Sequence, residues 1–97
     1  MALTTVSDAE LLEKVKSALG ITGNYQDSTL TIYINDVKEY MKAGGVPIAV
    51  IESTLAVGAI SRGVADLWNY GAGNTEFSTY FMQRVTQLAF EGGESDE

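Results

Sequence analysis

The residues in this chain best suited to chemistry are its acids and serines. Glu10 with Glu13, and Asp36 with Glu39, stand three apart, which on a helix puts each pair of carboxylates on one face. Such a pair can divide general-acid and general-base work when a pocket sets the two pKa values apart. Both pairs fall on the solvated faces of their segments, with no metal-ligand set nearby. Ser53 and Ser61 carry hydroxyls, but the chain has no histidine and no cysteine, and no lysine follows either serine at the Ser-Lys spacing. Those absences exclude disulfides, thiol catalysis and thiolate metal sites, and remove the commonest general base. Gly71-Ala72-Gly73-Asn74 is a turn rather than a phosphate cradle, because no Lys-Ser/Thr follows it and no strand precedes it. No catalytic, cofactor-binding or metal-ligating residue is therefore expected, and no cofactor.

The elements that would position these groups read as helices. Val46 to Tyr70 opens with Pro47, ends before Gly71 and has no proline between, the punctuation of one long helix. At about 1.5 Å per residue its roughly 23 residues would make a rod of about 35 Å. Val50, Val57 and Val64 recur every seven residues, as do Ser53, Ile60 and Leu67, forming one apolar seam with Trp68 beside it. Ala49, Ala56 and Gly63 make a row of small residues where another backbone can come close. The opposite face carries Ile48, Ile51 and Leu55 in its first half and Arg62, Asp66 and Asn69 in its second. A helix apolar on two sides needs partners on two sides.

Three shorter helices are expected around that rod. Ser7-Asp8-Ala9-Glu10 is a capping box, starting a helix to about Leu19 whose buried stripe holds Leu11, Leu12, Val15 and Leu19; Gly20 stops it. Asp27 or Ser28 caps the second, which runs to about Lys42 with Leu30, Ile34, Val37 and Met41 inside and Tyr33 and Tyr40 on the shoulder. Ile32 falls on its far side. Gly44-Gly45 breaks the chain before the rod. Asn74 or Thr75 caps the last helix, with Phe77, Phe81, Val85 and Leu88 inside and Arg84 snorkelling or pairing with an acid such as Asp66. The fold class is all-α: a small bundle of about four helices organised on one long central helix.

At 97 residues this is one domain, residues 1–90, followed by an acidic, solvated tail at 91–97. There are 13 acids against 6 bases, a net charge of −7, and four of the acids fall in the last seven residues. That balance opposes wrapping a phosphate backbone but does not oppose sitting near DNA that slides rather than sticks. Val46 to Ile60 is interrupted by Glu52 and followed by Arg62 and Asp66, too short and too charged to span a bilayer, so a soluble, cytosolic chain without membrane contact is expected. Two roles suit such a domain: a subunit of a self-associating assembly, or a small acidic adaptor that binds a protein partner as a dimer.

Lys16-Ser17-Ala18-Leu19-Gly20-Ile21, then Asp27, then a helix ending in Tyr40-Met41 with Gly-Gly-Val after it and a long helix beyond, resembles the phage head–tail connector family, also called head-completion or portal-adaptor proteins. The likeness covers residues 8 to 90. It implies an α-helical subunit that forms a ring under the portal protein in the virion neck, extends the DNA channel without sequence-specific DNA binding, and offers a platform to the tail or stopper protein. Assembly would take place in the cytoplasm of the bacterial host. A ring needs head-to-tail contacts. The candidates are Ile48, Ile51 and Leu55 on one subunit against Ile32 and Tyr33 on the next, with Arg62 and Asp66 alongside.

Overall fold

The capping box starts the first helix. In the computed structural model, which describes residues 4–70 and 77–95, α1 spans Asp8–Leu19. Ser7 Oγ accepts from the Glu10 N–H at 3.1 Å, and the Ser7 N–H donates to Glu10 Oε1 at 3.2 Å. These bonds from Ser7 hold the Glu10 carboxyl below the usual carboxylate range. The support they give is complete at neutral pH and is lost as pH falls through that lowered value. Gly20 ends the helix at φ 72°, a left-handed turn that lets the Ile21 N–H reach the Lys16 carbonyl at 2.9 Å.

Helix α2 spans Asp27–Ala43 and buries Leu30, Ile34, Val37 and Met41. Neither Asp27 nor Ser28 caps it: the cap position is Gln26, which makes no side-chain bond there. Asp27 lies inside the first turn, and its Oδ1 faces the Lys16 ammonium at 2.9 Å. Lys16 is only 4% exposed, so the pair ties α1 to α2 from within. The hydrogen bond to Asp27 raises the Lys16 pKa, against the desolvation that lowers it. A raised lysine contributes fully below the ordinary lysine range and fades only as pH climbs through the raised value.

The expected rod from Val46 to Tyr70 is not continuous. Helix α3 covers only Ile48–Ile51, a 3₁₀ turn follows at Thr54–Ala56, and α4 spans Val57–Tyr70. Ser53 stands between in extended conformation, φ −107° and ψ 169°. The backbone that pairs with this break lies far away in sequence. Thr4–Val6 runs antiparallel past the break: the Val6 N–H donates to the Glu52 carbonyl at 2.8 Å, and the Thr54 N–H donates to the Thr4 carbonyl at 2.9 Å. Val6 is buried in the core. The Ser53 hydroxyl completes the corner, donating to the Val50 carbonyl at 2.7 Å and accepting from the Leu55 N–H at 3.2 Å. Because that hydroxyl is buried and serves two backbone groups, Ser53→Ala should cost about 1–2 kcal/mol, read as a lowered urea midpoint.

Helix α4 is the centre of the molecule. It buries Ile60, Val64 and Leu67 against α1 and α2, with Val15 from α1 in the same core. Gly63 lies against Val37 and Phe81: a Cβ there would fall 2.7 Å from Phe81 Cε1 and 2.9 Å from Val37 Cγ1. Helix α5 spans Thr79–Ser95 and contributes Phe81, Val85 and Leu88. Its first turn is capped by Ser78, whose Oγ accepts from the Phe81 N–H at 3.2 Å, so the helix starts after the expected caps Asn74 and Thr75, which lie outside the described residues. Phe77 precedes the helix and packs on Phe81 and Tyr40, ring centroids 4.5 and 4.7 Å apart. Leu12, Leu19, Val57, Trp68 and Phe77, expected inside, are half-buried on the core's rim. The backbone of α5 is helical as far as Ser95, past the expected domain end at residue 90; Asp96 and Glu97 lie outside the described residues.

Candidate subunit interface

The residues expected to meet a neighbour separate into three groups. Ile48 is 58% exposed, Leu55 39% and Ile32 59%, large apolar side chains facing solvent. Ile48 and Leu55 flank the break between α3 and α4, whereas Ile32 sits on the outer face of α2, away from the buried row Leu30, Ile34 and Val37. Tyr33 is half-buried, its ring edge-on to Trp68 with centroids 6.4 Å apart.

Ile51 and Asp66 do not reach the surface, which corrects two of the expectations. Ile51 is 4% exposed because the corner at Ser53 turns α3 inward. Asp66 is 4% exposed because α5 folds over it: Oδ2 accepts from the Ser78 N–H at 2.9 Å, and Oδ1 lies 3.6 Å from Arg62 Nε. Arg62 remains half-exposed, donating to Ser78 Oγ at 3.3 Å with its guanidinium 5.9 Å from the Tyr80 ring centroid. The Asp66 carboxylate is thus a joint between α4 and α5. Arg84 takes other partners than Asp66, Gln87 Oε1 at 2.8 Å and the Leu55 carbonyl at 3.5 Å.

Two grooves border the exposed residues. One, of about 350 Å³, lies between the start of α1, the middle of α2 and α3, with Ile48 on its wall. Lys38 Nζ stands in it 3.5 Å from Asp8 Oδ1 and 3.5 Å from Glu52 Oε2, joining all three elements. Both carboxylates are well exposed, so the two pairs add little stability and weaken with salt. The other groove, of about 430 Å³, runs between the end of α2 and α5, lined by Tyr40, Ala43, Gly44, Met82, Val85 and Thr86. Sequence patterning does not single out this second groove. Its traces there are Tyr40 on the shoulder of α2 and Met82 beside the inner row of α5, the latter 43% exposed.

The polar lining of the first groove is Asp8, Asn35, Lys38, Glu39, Lys42 and Glu52, and that of the second is Tyr40 and Thr86. Among the described residues no group of three or more acids, histidines or cysteines is placed to hold a metal ion, and no helix is long and apolar enough to cross a membrane. Ser53 is buried, its hydroxyl engaged by the Val50 carbonyl and the Leu55 N–H. What the surface offers is apolar side chains on separate faces of a helical body.

Searches of the curated proteins and of the solved structures found no match. A family model described as Phage gp6-like head-tail connector protein matches residues 9–90, from the first turn of α1 through most of α5. With nearly all of its helices inside that match, the chain belongs to the phage gp6-like head-tail connector family.

Proposed function

We propose that this protein is a structural subunit of the phage head–tail junction, and that copies of it close into a ring beneath the portal protein. The ring lengthens the DNA channel and presents its far side to the tail or stopper protein. It forms in the cytoplasm of the bacterial host and ends in the virion neck. No enzymatic step, cofactor, membrane or sequence-specific DNA contact belongs to this reading.

One observation carries it beyond family membership: Ile48 and Leu55 stand exposed on a stretch whose other large apolar residues, Val50 and Ile51, are buried. Leaving them in water forgoes burial worth about 25 cal/mol per Å² of apolar surface, which a neighbouring subunit would recover. A closed ring needs two different patches per subunit. Ile32, on the outer face of α2, is the complement, with Tyr33 and Arg62 at the margin. The excess of acids, 13 against 6, suits a channel wall from which DNA must release.

The test is Leu55→Asp, alone and with Ile48→Asp. Both positions are exposed, so thermal melting should move by no more than about 2–4 °C. Sedimentation with the portal protein should show ring assembly lost. A variant that unfolds in dilute solution would assign Leu55 to the monomer's own core. A wild-type protein that forms a stable dimer with symmetric contacts would replace the ring with the adaptor role.

A further inference from the structure

We propose that residues 4–6 are a strap that holds α3 and α4 apart, and that withdrawing it lets Pro47–Tyr70 fuse into one continuous helix. The backbone between the two helices departs from helical geometry chiefly at one residue. Glu52 has φ −86° and ψ 6°, close to the helical region, and Val57 has φ −57° and ψ −46°, within it. Only Ser53, at ψ 169°, has far to turn. Nothing in the stretch forbids the change: no proline follows Pro47, and Gly58 and Gly63 are already helical in α4.

The strap supplies what the break takes away. In an unbroken helix the Glu52 carbonyl would accept from the Ala56 N–H, and the Thr54 N–H would donate to the Val50 carbonyl. In the bent chain the Val6 N–H and the Thr4 carbonyl stand in for those partners, at 2.8 and 2.9 Å. The Ser53 hydroxyl takes the Val50 carbonyl that Thr54 leaves. A segment near the chain's start thus serves two groups that an unbroken helix would bond, while the Leu55 and Ala56 N–H groups turn to the Ser53 hydroxyl and carbonyl, and removing the segment leaves the helix as the way to satisfy the two.

Fusion would also change the surface. Ile48, Ile51 and Leu55 are spaced i, i+3 and i+7, which a continuous helix sets in one row. Val50, Val57 and Val64 would keep to the opposite face. Ile51, now 4% exposed, would turn out beside Ile48 and Leu55 and complete an apolar strip. The strip enlarges the surface that the ring reading uses, but the strap itself rests on backbone geometry alone.

The chain has no cysteine, so Ala49→Cys with Asn69→Cys gives two clean spin-labelling sites on exposed positions of the full-length protein. A fused helix sets them about 30 Å apart, and the wild-type protein supplies the reference distance of the bent chain. Val6→Asp should evict the strap, and Ser53→Leu should remove the hydroxyl cap while leaving the strap's sequence intact. The expected result is a new population near 30 Å in electron-electron distance measurements, with the Thr54 amide exchanging within about tenfold of wild type because the Val50 carbonyl now holds it. A wild-type distance with Thr54 exchange sped up by about a hundredfold or more would overturn the proposal, since the strap would have left without fusion. Should Val6→Asp unfold, Ser53→Leu decides: an unchanged distance, or unfolding there too, also overturns it. Assembly on the portal is read separately, so the strap and the ring can fail independently.

Discussion

Gly63→Leu should leave little folded protein at 37 °C. The position sits inside α4, where replacing glycine ordinarily gains about 1 kcal/mol of helix propensity. Here the first added carbon already meets Phe81 at 2.7 Å and both methyls of Val37 at 2.9 and 3.0 Å. Neither neighbour can retreat, since both are fully buried. Gly63→Ala should therefore be destabilising in spite of its propensity, with overpacking costing about 1–3 kcal/mol. Leucine adds three more carbons to the same contact. A loss above about 3 kcal/mol is a large part of the 5–15 kcal/mol that holds a domain together. Urea unfolding followed by circular dichroism reads it directly. A Gly63→Ala variant more stable than wild type would show that α2, α4 and α5 are farther apart than described.

Phe81→Ala comes next in size and acts by the opposite route. Phe81 is 0% exposed and stacks obliquely on Phe77 and Tyr40, with centroids 4.5 and 5.6 Å away. Truncation leaves a cavity and removes two aromatic pairs, so about 3–5 kcal/mol should be lost, a drop in melting temperature of roughly 15–30 °C. Because Phe81 lies on Gly63, the two sites should not be additive. Phe81→Leu should relieve part of the cost of Gly63→Ala. Equal and independent losses in that double-mutant cycle would mean that the contact contributes little.

Much of this could be read from residue spacing. The inner rows of α2 and α5 follow i, i+4, i+7, and Leu30, Ile34, Val37, Phe81, Val85 and Leu88 are buried as such rows require. Ser7 and Gly20 bound α1 through bonds made within four or five residues, so local reading suffices. The break at Ser53 is of another kind. Its backbone partner lies some fifty residues away at Thr4–Val6, and no local pattern carries that information. Ile51 is buried beside that same corner. Asp27 and Asp66 have a related history: each is an acid near a helix start or on a polar face, and each is turned inward by a cation or an N–H from another element. The groove between α2 and α5 depends on how two helix ends diverge, which periodicity does not encode.

The Lys16–Asp27 joint has a consequence for the response to pH. A buried ammonium kept charged well into the alkaline range does not register the acidity of the fluid around it, and the chain has no histidine to do so in its place. The tie between α1 and α2 therefore keeps its positive half across the neutral range, with no step there at which that charge is lost.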